Sequence, residues 1–243
     1  MIAVILAAGM AQRLRPLTDN CPKCLLKVGE RTLLQRTVDA VVAAGISEVV
    51  LVTGYRKEMI TQFLEETYPT GITFHFINND DYQHTNNIYS LWLTRPYTEG
   101  KEMLLLDSDI LFDPAILPAV LQTNGNALAM NRHELGEEEI KVIADAQGMV
   151  VELSKTCSIA DAIGESVGIE KMTADYTAAL FKELEVMMEQ EKLVNVFYER
   201  AFERLIPQGH CFRYVDTTAL FSIELDTVED FHQANNLVPA SLL

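Results

Sequence analysis

The apolar run Ile2 to Leu6, passing directly into the small-residue loop Ala7-Ala8-Gly9-Met10-Ala11, constrains this chain more than any other stretch. An apolar run with no polar alternation reads as a strand buried on both faces, the kind found in parallel sheets covered by helices. Where such a strand empties into small residues it leaves backbone N–H groups bare, and Arg13, Arg15, Lys23 and Lys27 follow close behind. Bare N–H groups and cations together suit an anion, above all a phosphate chain.

The charge balance sharpens that reading. The 243 residues carry a net charge of −16, from 19 basic and 35 acidic side chains, yet residues 1–27 hold four cations and one acid, Asp19. A solvated basic face is the ordinary explanation of such a cluster. In an acidic protein, a local reversal of sign is better explained by an anionic ligand. The overall negative charge argues against nucleic acid and anionic membrane surfaces as partners, so the ligand expected is a small nucleotide. No apolar run approaches the roughly 20 residues of a membrane span. The start of the chain lacks the basic region and cleavage site of a secretory signal, so a cytoplasmic location is expected.

The loop fits neither common phosphate motif: the P-loop spacing is absent, and Gly9 alone does not make a G-x-G-x-x-G turn. What remains is A-A-G-x-x-x-R-L-x-P-L-T, with Lys23 ten residues past Arg13. It resembles the N-terminal motif of the sugar-phosphate and choline-phosphate nucleotidyltransferases, L-A-A-G-x-G-[ST]-R-[LM]-x-P-x-T-x-x-x-P-K. Two positions depart from it, Ala11 for the second glycine and Gln12 for the small hydroxyl residue. The alanine either pushes the backbone slightly away from a phosphate or requires a negative φ. The resemblance places the nucleotide on Leu6, Ala7, Ala8, Gly9, Met10 and Ala11, the leaving pyrophosphate on Arg13, and the α-phosphate with the attacking oxygen on Lys23.

The pattern downstream agrees with an α/β protein. Thr32 caps a helix carrying Leu33, Leu34, Val38, Val41 and Val42 and stopped at Gly45; Glu48 to Thr53 is a second buried strand. A helix around Lys57 to Thr67, a strand from Ile72 to Ile77 and another from Glu102 to Leu106 follow. Ile140 to Ala144 and Met149 to Leu153 flank a turn and read as a hairpin, which adds antiparallel strands. Helices are expected over Thr173 to Gln190 and Leu193 to Leu205, short strands near Phe212 to Val215 and Ala219 to Glu224, and a last helix from Asp226-Thr227. With the resemblance, this gives a Rossmann-like three-layer α/β/α fold of the nucleotide-diphospho-sugar transferase type, its central sheet mixed and mostly parallel. A single domain over 1–243 is expected, with a nucleotide-binding half at 1–112 and an acceptor-binding half at 113–243.

Asp107-Ser108-Asp109 ends a strand, and ligands of open α/β sheets collect at the carboxyl ends of strands. The family likeness implies that Asp109 and Asp226, the latter in Glu224-Leu225-Asp226-Thr227-Val228-Glu229-Asp230, hold Mg²⁺, with Asp107 beside the nucleotide. Two carboxylates sharing one ion with waters and phosphate oxygens match magnesium's preference. By itself Asp109 is a turn aspartate and Asp226 a helix cap, and capping can coexist with ligation.

Tyr82 to Leu91 is dense in groups able to read a base edge, among them Asn86, Asn87 and Ser90; Asn86 also suits the cap of a following helix. Its N-N-x-Y-S-L string resembles the bacterial choline-phosphate cytidylyltransferase branch, which makes CDP-choline for surface decoration, and its relatives acting on 2-aminoethylphosphonate. That implies CTP as donor and a small phosphorylated acceptor. Lys155 falls where the wider family places a lysine on the acceptor phosphate, and Glu165 is positioned to pair with a positive head group. Other readings stay open: a sugar 1-phosphate acceptor, a non-catalytic nucleotide-binding regulator, and a redox or zinc role for Cys21-Pro22-Lys23-Cys24. A homo-oligomer is also left open.

Overall fold

A computed structural model describes residues 1–242. The strands, in chain order, are β1 (Ile2–Ala7), β2 (Lys27–Val28), β3 (Arg31–Thr32), β4 (Glu48–Thr53), β5 (Thr73–Asn78), β6 (Met103–Asp107), β7 (Ile110–Phe112), β8 (Ala127–Asn131), β9 (Lys141–Ala144), β10 (Val150–Ser154), β11 (Gly164–Met172), β12 (Arg213–Asp216) and β13 (Ser222–Glu224). The helices are α1 (Leu33–Ala43), α2 (Lys57–Thr67), α3 (Asn87–Leu93), α4 (Arg95–Thr98), α5 (Ile116–Gln122), α6 (Ala174–Glu185), α7 (Glu199–Leu205) and α8 (Val228–Leu237).

Nine strands form one sheet, ordered β10-β9-β11-β6-β1-β4-β5, with β8 on β11 and β12 on β8. Strands β6, β1, β4 and β5 are mutually parallel, and β11 joins β6 antiparallel. The strand period of two divides β1 between two cores. Ile2, Val4 and Leu6 face a cluster containing Ile88 of α3, Leu180 of α6 and Phe202 of α7. Ala3, Ile5 and Ala7 face Leu34 and Val38 of α1, Leu64 of α2 and Leu117 of α5. The result is three layers, helices on both faces of a mixed, mostly parallel sheet, as expected. Among the described residues no helix is long and apolar enough to cross a membrane.

Several sequence expectations are corrected. The helix expected from Leu193 begins only at Glu199; the backbone before it is held open, with the Asn86 N–H donating to the Val194 carbonyl (2.9 Å) and the Tyr198 N–H to Asn87 Oδ1 (2.9 Å). Helix α6 ends at Glu185 and passes into a π-helical turn, Val186–Gln190. The last helix is capped by Thr227, not Asp226. The Thr227 side chain accepts from the Asp230 N–H at 3.2 Å while Asp230 Oδ2 accepts from the Thr227 N–H at 2.7 Å, which leaves the Asp226 carboxylate free for other partners. Ala11 takes a left-handed conformation, φ 46° and ψ 55°, not a negative φ. Its carbonyl is fixed there by the Leu14 N–H at 3.0 Å and the Thr18 hydroxyl at 2.9 Å.

The loop after β1 is also held from the side. Gly54, just past β4, lies where an added Cβ would stand 2.7 Å from the Ala8 carbonyl oxygen and 2.9 Å from Tyr82 Cβ. The Tyr55 N–H donates to that same carbonyl at 3.0 Å. Gly54→Ala is therefore expected to cost about 1–3 kcal/mol, measured by chemical denaturation, because backbone and not a flexible side chain must give way. An unchanged midpoint would contradict this packing.

Candidate active site

The carboxyl ends of β1 and β6 and the amino-terminal half of the antiparallel β11 open into a cleft of about 870 Å³. Its walls include every nucleotide, acceptor and metal residue expected from the sequence except Met10, which lies outside the lining. The distant carboxylates meet because β7 and β13 pair antiparallel, with Ile110 opposite Glu224. The Leu225 N–H then donates to the Asp109 carbonyl at 3.1 Å, and oxygens of Asp109, Glu224 and Asp226 lie within 4.8 Å of one another. Glu224 was not assigned a role from the sequence.

Lys23 Nζ sits between two of these groups, 2.9 Å from Asp109 Oδ2 and 2.8 Å from Asp226 Oδ1, with its side chain only 10% exposed. The Arg13 guanidinium pairs with the other Asp226 oxygen from a far more exposed position. Burial lowers the lysine's affinity for its proton, but Asp109 and Asp226 outweigh it and the net shift is upward. Burial likewise works against ionised Asp226, and Lys23 and Arg13 outweigh it to pull the carboxyl down. Glu224 has only the weaker opposing charge of Lys23, and desolvation within the cleft together with Asp109 and Asp226 pushes it up to about 8. Three hard oxygen donors gathered within one ion's reach suit a divalent cation.

The other expected residues divide. Asn86 caps α3, its Oδ1 accepting from the Asn87 N–H at 2.7 Å. Asn87 Oδ1 is taken by the Tyr198 N–H, and the buried Ser90 hydroxyl accepts from Asn79 Nδ2 at 3.2 Å. Asp107 accepts from the Tyr198 hydroxyl at 3.0 Å, and burial near Asp109, Glu170 and Glu199 raises it well above the carboxylate range. Gly168, at φ +75°, leaves room for it; a Cβ there would meet Asp107 Oδ2 at 2.8 Å. Glu165, expected to meet a positive head group, is already paired in the fold: His133 Nε2 lies 2.6 Å away. Lys155 Nζ contacts Glu138 at 3.3 Å and lies 4.7 Å from the centre of the Phe197 ring.

The cysteine pair does not fit a redox or zinc role. Burial pushes Cys24 up to about 12 and also raises Cys21, so both remain thiols, whereas reactive pairs need a lowered value. Among the described residues, the group able to hold a metal contains no cysteine.

Residues 2–131, more than half of the chain, match the family model for nucleotidyl transferase. The chain belongs to the nucleotidyl transferase family. Among its relatives is the CMP-5'-(3-aminopropyl)phosphonate synthase of Streptomyces rubellomurinus, 28% identical over 96% of this chain and 38% of that protein. The choline-phosphate cytidylyltransferase of Streptococcus pneumoniae is 39% identical over 45% of this chain and 44% of that protein. The matches thus span less than half the length of either relative. The solved structure of the CTP:phosphocholine cytidylyltransferase from Streptococcus pneumoniae superposes with a TM-score of 0.79 at 21% identity, covering 98% of this chain and 99% of that one. It shares the nucleotidyltransferase fold.

One cleft residue of this family member had no sequence signal. Glu199, the first residue of α7, is 6% exposed, and burial pushes its carboxyl up to about 7. Folding favours its protonated form, so its contribution to stability is complete below the unfolded value near 4.3 and is lost as pH rises through about 7. Glu199→Gln cannot ionise. Between about pH 4.5 and 8 the parent is expected to lose on the order of 3 kcal/mol relative to this variant, read from denaturation curves across pH. Parallel curves would refute the assignment.

Proposed function

We propose that this chain is a Mg²⁺-dependent cytidylyltransferase that joins CMP from CTP to a small phosphate or phosphonate acceptor and releases pyrophosphate. The observation that carries the reading is the convergence of Lys23 and Arg13 on the Asp109, Glu224 and Asp226 carboxylates beside the Ala7 to Ala11 loop. An acceptor oxygen attacks the α-phosphorus, the new P–O bond forms in line as the α–β bridging bond breaks, and pyrophosphate leaves with its electron pair. The acceptor is already anionic at neutral pH, so no general base is required, and rate comes from positioning and charge neutralisation.

In this reading Lys23 spans the α-phosphate and the attacking oxygen, Arg13 takes the pyrophosphate, and backbone N–H groups of the loop approach the phosphate chain. Asp109 and Asp226, joined by Glu224, hold the metal, which supplies Lewis-acid neutralisation of the phosphate charge. Residues 1–112 carry the nucleotide; residues 113–243 carry the acceptor, facing Lys155 and Glu165, and the second metal aspartate. Both relatives described above are named for cytidylyl or CMP chemistry, which supports CTP as donor and 2-aminoethylphosphonate or choline phosphate as the acceptor type.

A matrix of the four nucleoside triphosphates against choline phosphate, 2-aminoethylphosphonate and hexose 1-phosphates, read as pyrophosphate release, tests the proposal. Release with CTP and an aminated acceptor is expected. Release with sugar phosphates alone would make the chain a sugar-nucleotide enzyme, and nucleotide binding without release in any well would make it a regulator.

A further inference from the structure

The cleft is lined by a carboxyl group with one buried oxygen that no group of the protein satisfies. Glu199 makes no ion pair among the described residues; its own backbone N–H donates to its carboxylate, and Oε2 is buried without a partner. Behind it Glu170 is fully buried, with Oε1 accepting from the Ser166 hydroxyl at 3.3 Å and Oε2 unpartnered. The lysines nearby are committed elsewhere: Lys171 to the Leu121 and Thr123 carbonyls, Lys141 to the Lys155 carbonyl at 2.7 Å, and Lys155 to Glu138 and the Phe197 face. A buried carboxylate left unpaired is costly, and a hydrogen-bonding cation in the cleft would remove that cost.

Building on the transfer reading above, we propose that Glu199 is the specificity residue for the acceptor, receiving N–H bonds from a primary ammonium group carried by a short phosphate or phosphonate. The wall around it favours an N–H-bearing cation over a quaternary one. A trimethylammonium group donates no hydrogen bond and is held by open aromatic faces. Here the neighbouring Phe197 face already carries the Lys155 ammonium, and the Tyr198 hydroxyl is bound to Asp107. Glu165, the other cleft carboxylate suited to a cation, is paired with His133. Glu199 lines the same cleft as Lys155 and Phe197, next in sequence to Phe197 and Tyr198, and Lys155 is the residue the transfer reading gives to the acceptor.

The test is a series of acceptors with one phosphate and a stepwise methylated amine: 2-aminoethyl phosphate and its N-methyl, N,N-dimethyl and N,N,N-trimethyl forms, with CTP fixed at saturation. For the parent, kcat/KM is expected to fall along the series, by about tenfold or more from primary to quaternary amine. Glu199→Gln, which keeps the side-chain shape, is expected to raise KM for the primary amine about tenfold or more and flatten the series, while KM for CTP stays close to the parent's and the variant is at least as stable as the parent at the assay pH. A preference for the trimethylated acceptor, or an unchanged series in the variant, overturns the assignment alone. A rise in KM for CTP in the variant also overturns it, since the carboxyl would then face the nucleotide. Absence of pyrophosphate with every acceptor overturns this inference together with the transfer reading.

Discussion

Lys23→Ala is expected to lower kcat/KM by about 10³-fold, the scale of losing one preorganised donor aimed at charge that develops in the transition state. The ammonium is nearly buried and contacts Asp109 and Asp226 at once, so no neighbouring cation replaces it. Arg13 reaches only Asp226 and does so from a largely exposed position. The same substitution leaves Asp109, Glu224 and Asp226 facing each other without their central cation, and the metal-free variant is expected to melt below the parent. Added Mg²⁺ is expected to recover much of that melting loss but not the rate, because the metal neutralises the carboxylates without replacing the lysine at the α-phosphate. Lys23→Arg is not a rescue, since a planar fork does not occupy the place of a compact ammonium between two carboxylates. Turnover at the parental rate in Lys23→Ala would remove Lys23 from the mechanism.

The second large effect is expected at Asp226. Asp226→Asn keeps the shape of the side chain but removes the carboxylate that pairs with Lys23 and Arg13 and that the proposed function gives to the metal, and kcat is expected to fall about 10²–10³-fold. The metal concentration at half-maximal rate is expected to rise, and the thermal stabilisation that Mg²⁺ or Mn²⁺ gives the parent is expected to shrink or vanish. Because Thr227 and Asp230 cap α8 between themselves, the substitution should not unravel that helix. A variant that kept both its activity and its metal-induced stabilisation would place the metal elsewhere.

The parts of the molecule legible in the sequence are those whose signal is local. The run Ile2 to Leu6, the Thr32 cap and the Asn86 cap are short-range patterns, and the structure contains each of them. The strand Gly164–Met172 is hard to read from sequence because its period is masked: Gly168 interrupts it, and Glu170 and Lys171, which look like surface residues, are buried. The helix expected from Leu193 had adequate apolar spacing, but the Asn86 N–H donating to Val194 and the Asn87 Oδ1 accepting from Tyr198, over a hundred positions earlier, hold that backbone in another form. Ala11 looked incompatible with a positive φ, yet two hydrogen bonds to its carbonyl keep it left-handed. Within the cleft, Arg13, Lys23, Asp109 and Asp226 were singled out by the family resemblance of their segments, and the fold brings them together. Glu224 stood inside the quoted segment without a role, because its approach to Asp109 depends on β13 meeting β7, and Glu199 had no signal at all, because its burial depends on where α7 begins.

Phosphorus NMR of the purified protein with CTP, Mg²⁺ and 2-aminoethylphosphonate tests the central claim most directly. Nucleotidyl transfer predicts growth of a pyrophosphate signal together with a coupled pair, one phosphonate and one phosphate, from CMP joined to the acceptor, and loss of both on chelating the metal. CTP that stays intact across the acceptor panel, or that yields CDP and inorganic phosphate with no coupled pair, would contradict the account.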